Sequence, residues 1–138
     1  MAAENAEVGQ TELNLGLIAA WGGTLRLPRI VALAKAKELI MLGTRISAEE
    51  AAKIGLVNKV VPKAELQEET VALARKLADG PPVVLKLAKE LLNSGTQVHS
   101  DAWLKMETEA FGVVLGTGDA KEGVSAFLSK RRPKFKGE

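Results

Sequence analysis

The 138 residues include no cysteine and a single histidine, His99. The first absence removes disulfides, thiolate nucleophiles and cysteine metal sites, and the second leaves no histidine cluster to hold zinc. No metal centre is therefore expected. His99 precedes the start of a helical pattern with no partner nearby and reads as a surface residue. No apolar run reaches the roughly 18 to 20 residues needed to span a bilayer, and the opening Met1-Ala2-Ala3-Glu4-Asn5-Ala6-Glu7 lacks the positive region and apolar segment of a secretion signal. A soluble, cytoplasmic chain is expected. An excess of one charge is missing too: 19 basic residues against 17 acidic ones give a formal +2, too even a total to mark a nucleic-acid binder.

What is present is apolar material, at 46% of residues, enough for one modest core. The basic residues are also unevenly placed. Lys130, Arg131, Arg132, Lys134 and Lys136 crowd the C-terminal end, either as a solvated helix end or as a site for an anion such as phosphate.

Residues 1–20 carry strand and turn signals and read as extended and irregular. A helical segment follows Gly22-Gly23-Thr24, with Pro28 expected to break or restart it. A second helix is expected over 32–42, with Gly43 as a left-handed cap. Ser47-Ala48-Glu49-Glu50 has capping-box spacing and predicts a short helix over 48–53. Gly55 stops it, and the β-branched stretch 56–61 predicts a strand. From Lys63 onward the pattern is helical, with helices expected over about 63–78, from Pro82 through Leu92, over 100–115, and over 120–130 with Val124, Phe127 and Leu128 facing inward. Apolar residues on more than one helix face fit either a compact helical monomer or burial against another subunit.

The stretch Gly9-Gln10-Thr11-Glu12-Leu13-Asn14-Leu15-Gly16 sets one carboxylate among apolar residues ahead of a glycine turn. Alone, it reads first as a solvent-facing turn. It is followed by Trp21-Gly22-Gly23-Thr24-Leu25-Arg26-Leu27, Ala34-Lys35-Ala36-Lys37-Glu38-Leu39, Ile46-Ser47-Ala48-Glu49-Glu50-Ala51, Gly55-Leu56-Val57 and Glu122-Gly123-Val124-Ser125-Ala126-Phe127-Leu128. In this order and spacing the segments resemble the enoyl-CoA hydratase, or crotonase, family, across nearly all of residues 4–137. The resemblance is to the second half of a crotonase chain.

That resemblance implies a mainly α chain with a short β/turn segment, the C-terminal part of the crotonase (ClpP/crotonase-like) fold. Residues 1–62 would be a remnant of the core spiral, and 63–138 a helical region through which family members form trimers or hexamers. It implies an acyl-CoA thioester as substrate, hydration of its 2,3 double bond, and no metal or redox cofactor. Glu12 falls at the family's second glutamate, the acid that delivers a proton to C2. Its apolar neighbours Leu13, Leu15 and Trp21 suit a raised carboxyl pKa. Trp21 falls where the family lines the acyl pocket, or else packs as an ordinary aromatic. Phe111 and Lys130 fall at the adenine and phosphate end of coenzyme A, or else serve as core and helix end. Arg26 reads as structural.

Thr11 and Ala19-Ala20 replace the family's usual prolines and glycine, which reshapes the acyl-pocket turn without touching Glu12. The family's first glutamate and both oxyanion-hole N–H groups would precede Met1, so Glu12 is expected to depend on a complementary N-terminal half. The alternatives are an enoyl-CoA isomerase, or a non-catalytic or truncated assembly module. RNA binding, found in one branch of the family, is disfavoured by basic residues that lack interleaved aromatics.

Overall fold

The computed structural model describes residues 1–95 and 97–138. By its internal contacts the chain divides into two compact units, Met1–Ala72 and Leu73–Glu138. The architecture is mainly α with few strands, and among the described residues no helix is long and apolar enough to cross a membrane.

In the first unit, β1 (Ala2–Ala3) pairs in parallel with β4 (Val60–Val61), and β2 (Glu7–Gly9) runs antiparallel to β3 (Arg45–Ser47). The strand expected over 56–61 shrinks to its last two residues. Its first two N–H groups, at Leu56 and Val57, instead donate to the Ala51 carbonyl at 2.8 and 3.3 Å, which closes the preceding helix and leaves only Val60 and Val61 extended for pairing.

Helix α1 (Gly23–Ile30) keeps Pro28 inside it. The break comes later, at Val31 and Ala32, both extended. Proline here removes only the bond its N–H would have made to the Thr24 carbonyl. Helix α2 (Leu33–Leu42) then ends as expected at Gly43, with φ 59°. Ser47 caps α3 (Ala48–Lys53), its Oγ accepting the Glu50 N–H at 3.2 Å. The Glu50 carboxylate turns to Lys35, 3.4 Å away, rather than completing the box. The core of this unit is Leu27, Val31, Ala36 and Leu39, with Ile40, Ile46, Ile54 and Leu56 against it.

A 3-10 turn (Lys63–Glu65) leads into α4 (Leu66–Ala78), which is followed by α5 (Pro82–Gly95), α6 (Ser100–Leu115) and α7 (Gly118–Leu128). Trp103 on α6 donates its indole N–H to the Leu91 carbonyl at 3.2 Å. It lies so close over Gly95 that a Cβ there would meet the indole nitrogen at 2.5 Å.

His99 caps α6 from an exposed position, and its Nδ1 is 3.8 Å from Asp101 Oδ2, a neighbour the sequence reading lacked. Helix α7 starts and stops two residues earlier than expected, because Thr117 Oγ caps it at Ala120 and Lys130 turns left-handed. The expected inward face of α7 is a correction: Val124, Phe127 and Leu128 are exposed, at 62%, 82% and 74%. Among the described residues of this unit only Asp119 and Ala126 are buried.

Candidate active site

Glu12 heads a 3-10 turn, Glu12–Leu15, which Gln10 and Thr11 join to the end of β2. The turn is closed at both ends. Asn14 N–H donates to the Thr11 carbonyl at 3.1 Å, and Leu17 N–H donates to the Glu12 carbonyl at 3.1 Å. Gly16 then takes φ 72°, a conformation a side chain resists. Asn14 also reaches across the unit, its Nδ2 donating to the Gly43 carbonyl at 3.0 Å. The turn bearing Glu12 is thus tied to the left-handed end of α2. Thr11, where the family carries proline, makes no side-chain cap bond and serves through its carbonyl.

The Glu12 side chain is half-buried, and its carboxylate has no hydrogen-bond or ion-pair partner among the described residues. The apolar surround expected from Leu13, Leu15 and Trp21 is not built by the described residues. The three are 49%, 77% and 94% exposed, because Gly16, Leu17 and Ile18 beside them also face outward and provide no wall to pack on.

Trp21 does not pack as an ordinary core aromatic. Its backbone is left-handed at φ 54°, and Gly22 follows at φ 82°. Arg26 fastens this turn, donating from Nη2 to the Trp21 carbonyl at 2.7 Å, so it has the structural role expected of it. Gly23 N–H donates to Ala20 at 2.9 Å.

Sequence reasoning passed over Gln10. Its Oε1 is buried without a hydrogen-bond partner among the described residues, and it lies 2.8 Å from where a Cβ on Gly23 would sit. Glycine at 23 therefore lets α1 begin against the Gln10 amide.

The second unit carries the other two predicted residues. Phe111 is 62% exposed on α6, and Lys130 is exposed just past α7. Lys130 N–H donates to the Phe127 carbonyl at 3.1 Å and Arg131 N–H to the Ala126 carbonyl at 3.0 Å. This pair of bonds ends a helix around one left-handed residue, usually glycine. Here that residue is Lys130, with φ 51°. Trp21 and Lys130 are the two non-glycine residues with positive φ among those described, and such strain concentrates at ligand sites.

Beyond Lys130 the chain folds back along α7. Glu122 receives Arg131 through both guanidinium nitrogens, at 2.6 and 2.7 Å, and also accepts the Lys134 N–H at 2.8 Å. The Arg131 side chain first, and the Lys134 N–H second, hold the Glu122 carboxyl well below its ordinary value, at about 2. Glu122 in turn raises the Arg131 pKa. Asp119, 3% exposed, accepts the Lys136 and Gly137 N–H groups at 2.7 and 2.9 Å. The basic end is therefore divided. Arg131 is neutralised by Glu122, Lys136 approaches Glu138 at 3.6 Å and the Lys134 charge also acts on Glu122, while the Lys130 and Arg132 side chains have no partner among the described residues.

A sequence model of the enoyl-CoA hydratase/isomerase family matches residues 1–138. A probable enoyl-CoA hydratase of Bacillus subtilis is 48% identical over 139 aligned positions, covering 100% of this chain and 54% of that one. A short-chain-enoyl-CoA hydratase of Clostridium acetobutylicum is 43% identical, covering 96% of this chain and 51% of that one. The crystal structure of an enoyl-CoA hydratase from Bacillus anthracis superposes with a TM-score of 0.95 at 46% identity, over 99% of this chain and 53% of the other. The chain thus spans about half the length of the relatives it matches.

Proposed function

We propose, from the fact that this chain belongs to the enoyl-CoA hydratase/isomerase family, that it supplies the acid half of an enoyl-CoA hydratase site. The observation that carries this reading is Glu12: a carboxylate on a closed, pinned turn and left without a partner, in a segment that matches hydratases throughout.

In the proposed reaction the oxygen of water adds to C3 of a 2-enoyl thioester while Glu12, protonated, gives its proton to C2. A second carboxylate takes the proton that water loses. Negative charge builds on the thioester oxygen, where two backbone N–H groups meet it, the kind of preorganised donor that supplies the largest catalytic term. The second carboxylate and the two N–H groups come from polypeptide outside residues 1–138. No metal or redox group is called for. Trp21, held outward by its left-handed backbone, lines the acyl chain. On a neighbouring subunit's coenzyme A, Phe111 offers a ring face to the adenine and Lys130 an ammonium to a phosphate.

The test is Glu12→Gln in the assembly that hydrates crotonyl-CoA, followed by loss of enoyl absorbance. Turnover should fall by roughly a hundred- to ten-thousandfold; unchanged turnover refutes the role.

A second reading, a homo-oligomeric assembly module without turnover, is supported by the sparse burial of the second unit, where Phe111, Val124, Phe127 and Leu128 are all more than half exposed. Light scattering would give a trimer or hexamer under either reading. Hydration by the complemented chain separates them.

A further inference from the structure

The geometry points to Glu122 and Arg131 as positioning residues: their ion pair, with the backbone bonds beside it, holds Lys130 in the left-handed turn from which its ammonium meets the phosphate of coenzyme A. The inference rests on the assignment of Lys130 given above and names what keeps that residue in place.

A lysine in this conformation is strained by its Cβ, so something must hold it there. Within the turn, only the two helix-closing N–H bonds at Lys130 and Arg131 do so. The Lys130 side chain itself contributes nothing, having no partner among the described residues. The restraint comes from the next residue along. The Arg131 guanidinium forks onto both Glu122 oxygens, one of which also takes the Lys134 N–H. Glu122 is on α7 itself, so the residue after the strained turn is fastened back to the helix the turn terminates. Asp119, one turn earlier on α7, fastens Lys136 and Gly137 in the same way. The segment after Lys130 is thus tied down twice by carboxylates and cannot swing the turn open. The pairing also takes up Arg131 as a rival cation, while the Lys130 ammonium stays free.

Releasing the pair should let Lys130 relax to negative φ and carry its ammonium away from the anion. Coenzyme A binding to the chain in its native assembly, measured calorimetrically, reads this out. Lys130→Ala should weaken binding about tenfold, the loss of one charge-assisted contact. Glu122→Gln and Arg131→Gln, which cut the pair from opposite sides, should each weaken it by up to roughly fivefold. Neither should weaken it further in the Lys130→Ala background, a non-additivity that a general loosening of the fold would not produce. Parent-like binding by both pair variants, with Lys130→Ala still impaired, overturns the positioning role and leaves the Lys130 assignment standing. Additive losses in the double variants also overturn it. Parent-like binding by Lys130→Ala, or no binding by the parent assembly, overturns the assignment and the inference with it.

Discussion

Replacing Asp119 by alanine should free the last residues of the chain while leaving α7 folded. The two bonds lost, from Lys136 and Gly137 at 2.7 and 2.9 Å, have the lengths of charge-assisted contacts. Bonds to charged groups contribute about 1.5–3 kcal/mol each. Both donors belong to exposed residues that water can re-solvate once released, so the low end applies, and two bonds give about 3 kcal/mol. That is roughly a hundredfold in the local opening equilibrium. Hydrogen exchange followed by NMR at the Lys136 and Gly137 amides reads this opening directly. Exchange there should quicken about a hundredfold in Asp119→Ala, while amides of the first unit are unaffected. Asp119→Asn keeps an oxygen for one donor and loses the charge, so it should fall in between. Exchange at both amides unchanged from the parent would refute the reasoning, for it would mean that the buried carboxylate is not what holds the segment.

Leu39→Ala should destabilise the first unit by about 2–5 kcal/mol in urea unfolding, since Leu39 is 2% exposed at the centre of its core. Lys130→Gly should raise the thermal midpoint of the second unit, relieving about 1 kcal/mol of left-handed strain, while weakening coenzyme A binding. A variant that gains in both would sink the phosphate role. The Glu122 carboxyl titrates at about 2 in the folded chain against an ordinary 4.5. Because the folded value is the lower, the contribution of its pair is complete above 4.5 and fades as pH falls through about 2. Exchange at the Lys134 amide, corrected for its intrinsic pH dependence, should therefore stay level down to mildly acidic pH and then rise; loosening that sets in near neutrality would contradict this.

Features written by local chemistry were readable in advance. The Gly43 cap, the Ser47 cap and the helices over 33–42, 48–53 and 100–115 each depend on residues within one or two turns. What failed depended on distant neighbours. The spacing of Val124, Phe127 and Leu128 marks an apolar face truly, but periodicity does not say what covers it, and among the described residues all three are exposed. The Leu56 and Val57 amides were drawn to Ala51, a competition that a β-branched run does not announce. The holding roles of Asp119 and Glu122 were not foreseen because they act on backbone N–H groups 12 to 18 residues away, where no pattern repeats. Glu12 stood out through the resemblance, and Gln10 had no signal beyond standing two residues before it.

The bridge from Asn14 to the end of α2 has a consequence for how such a protein can diversify. Glu12 is fixed from behind, by its own closed turn and by a helix end some thirty positions downstream, while residues 17–21 leave that turn and run exposed, apart from Ala19, to Trp21. The acid and the neighbouring loop are therefore separately mounted. Substitutions can enlarge, shrink or re-angle the loop while the turn that carries Glu12 stays tied to Gly43. Under the proposed function, a protein built this way can change the acyl chain it takes one loop at a time and keep its acid in place.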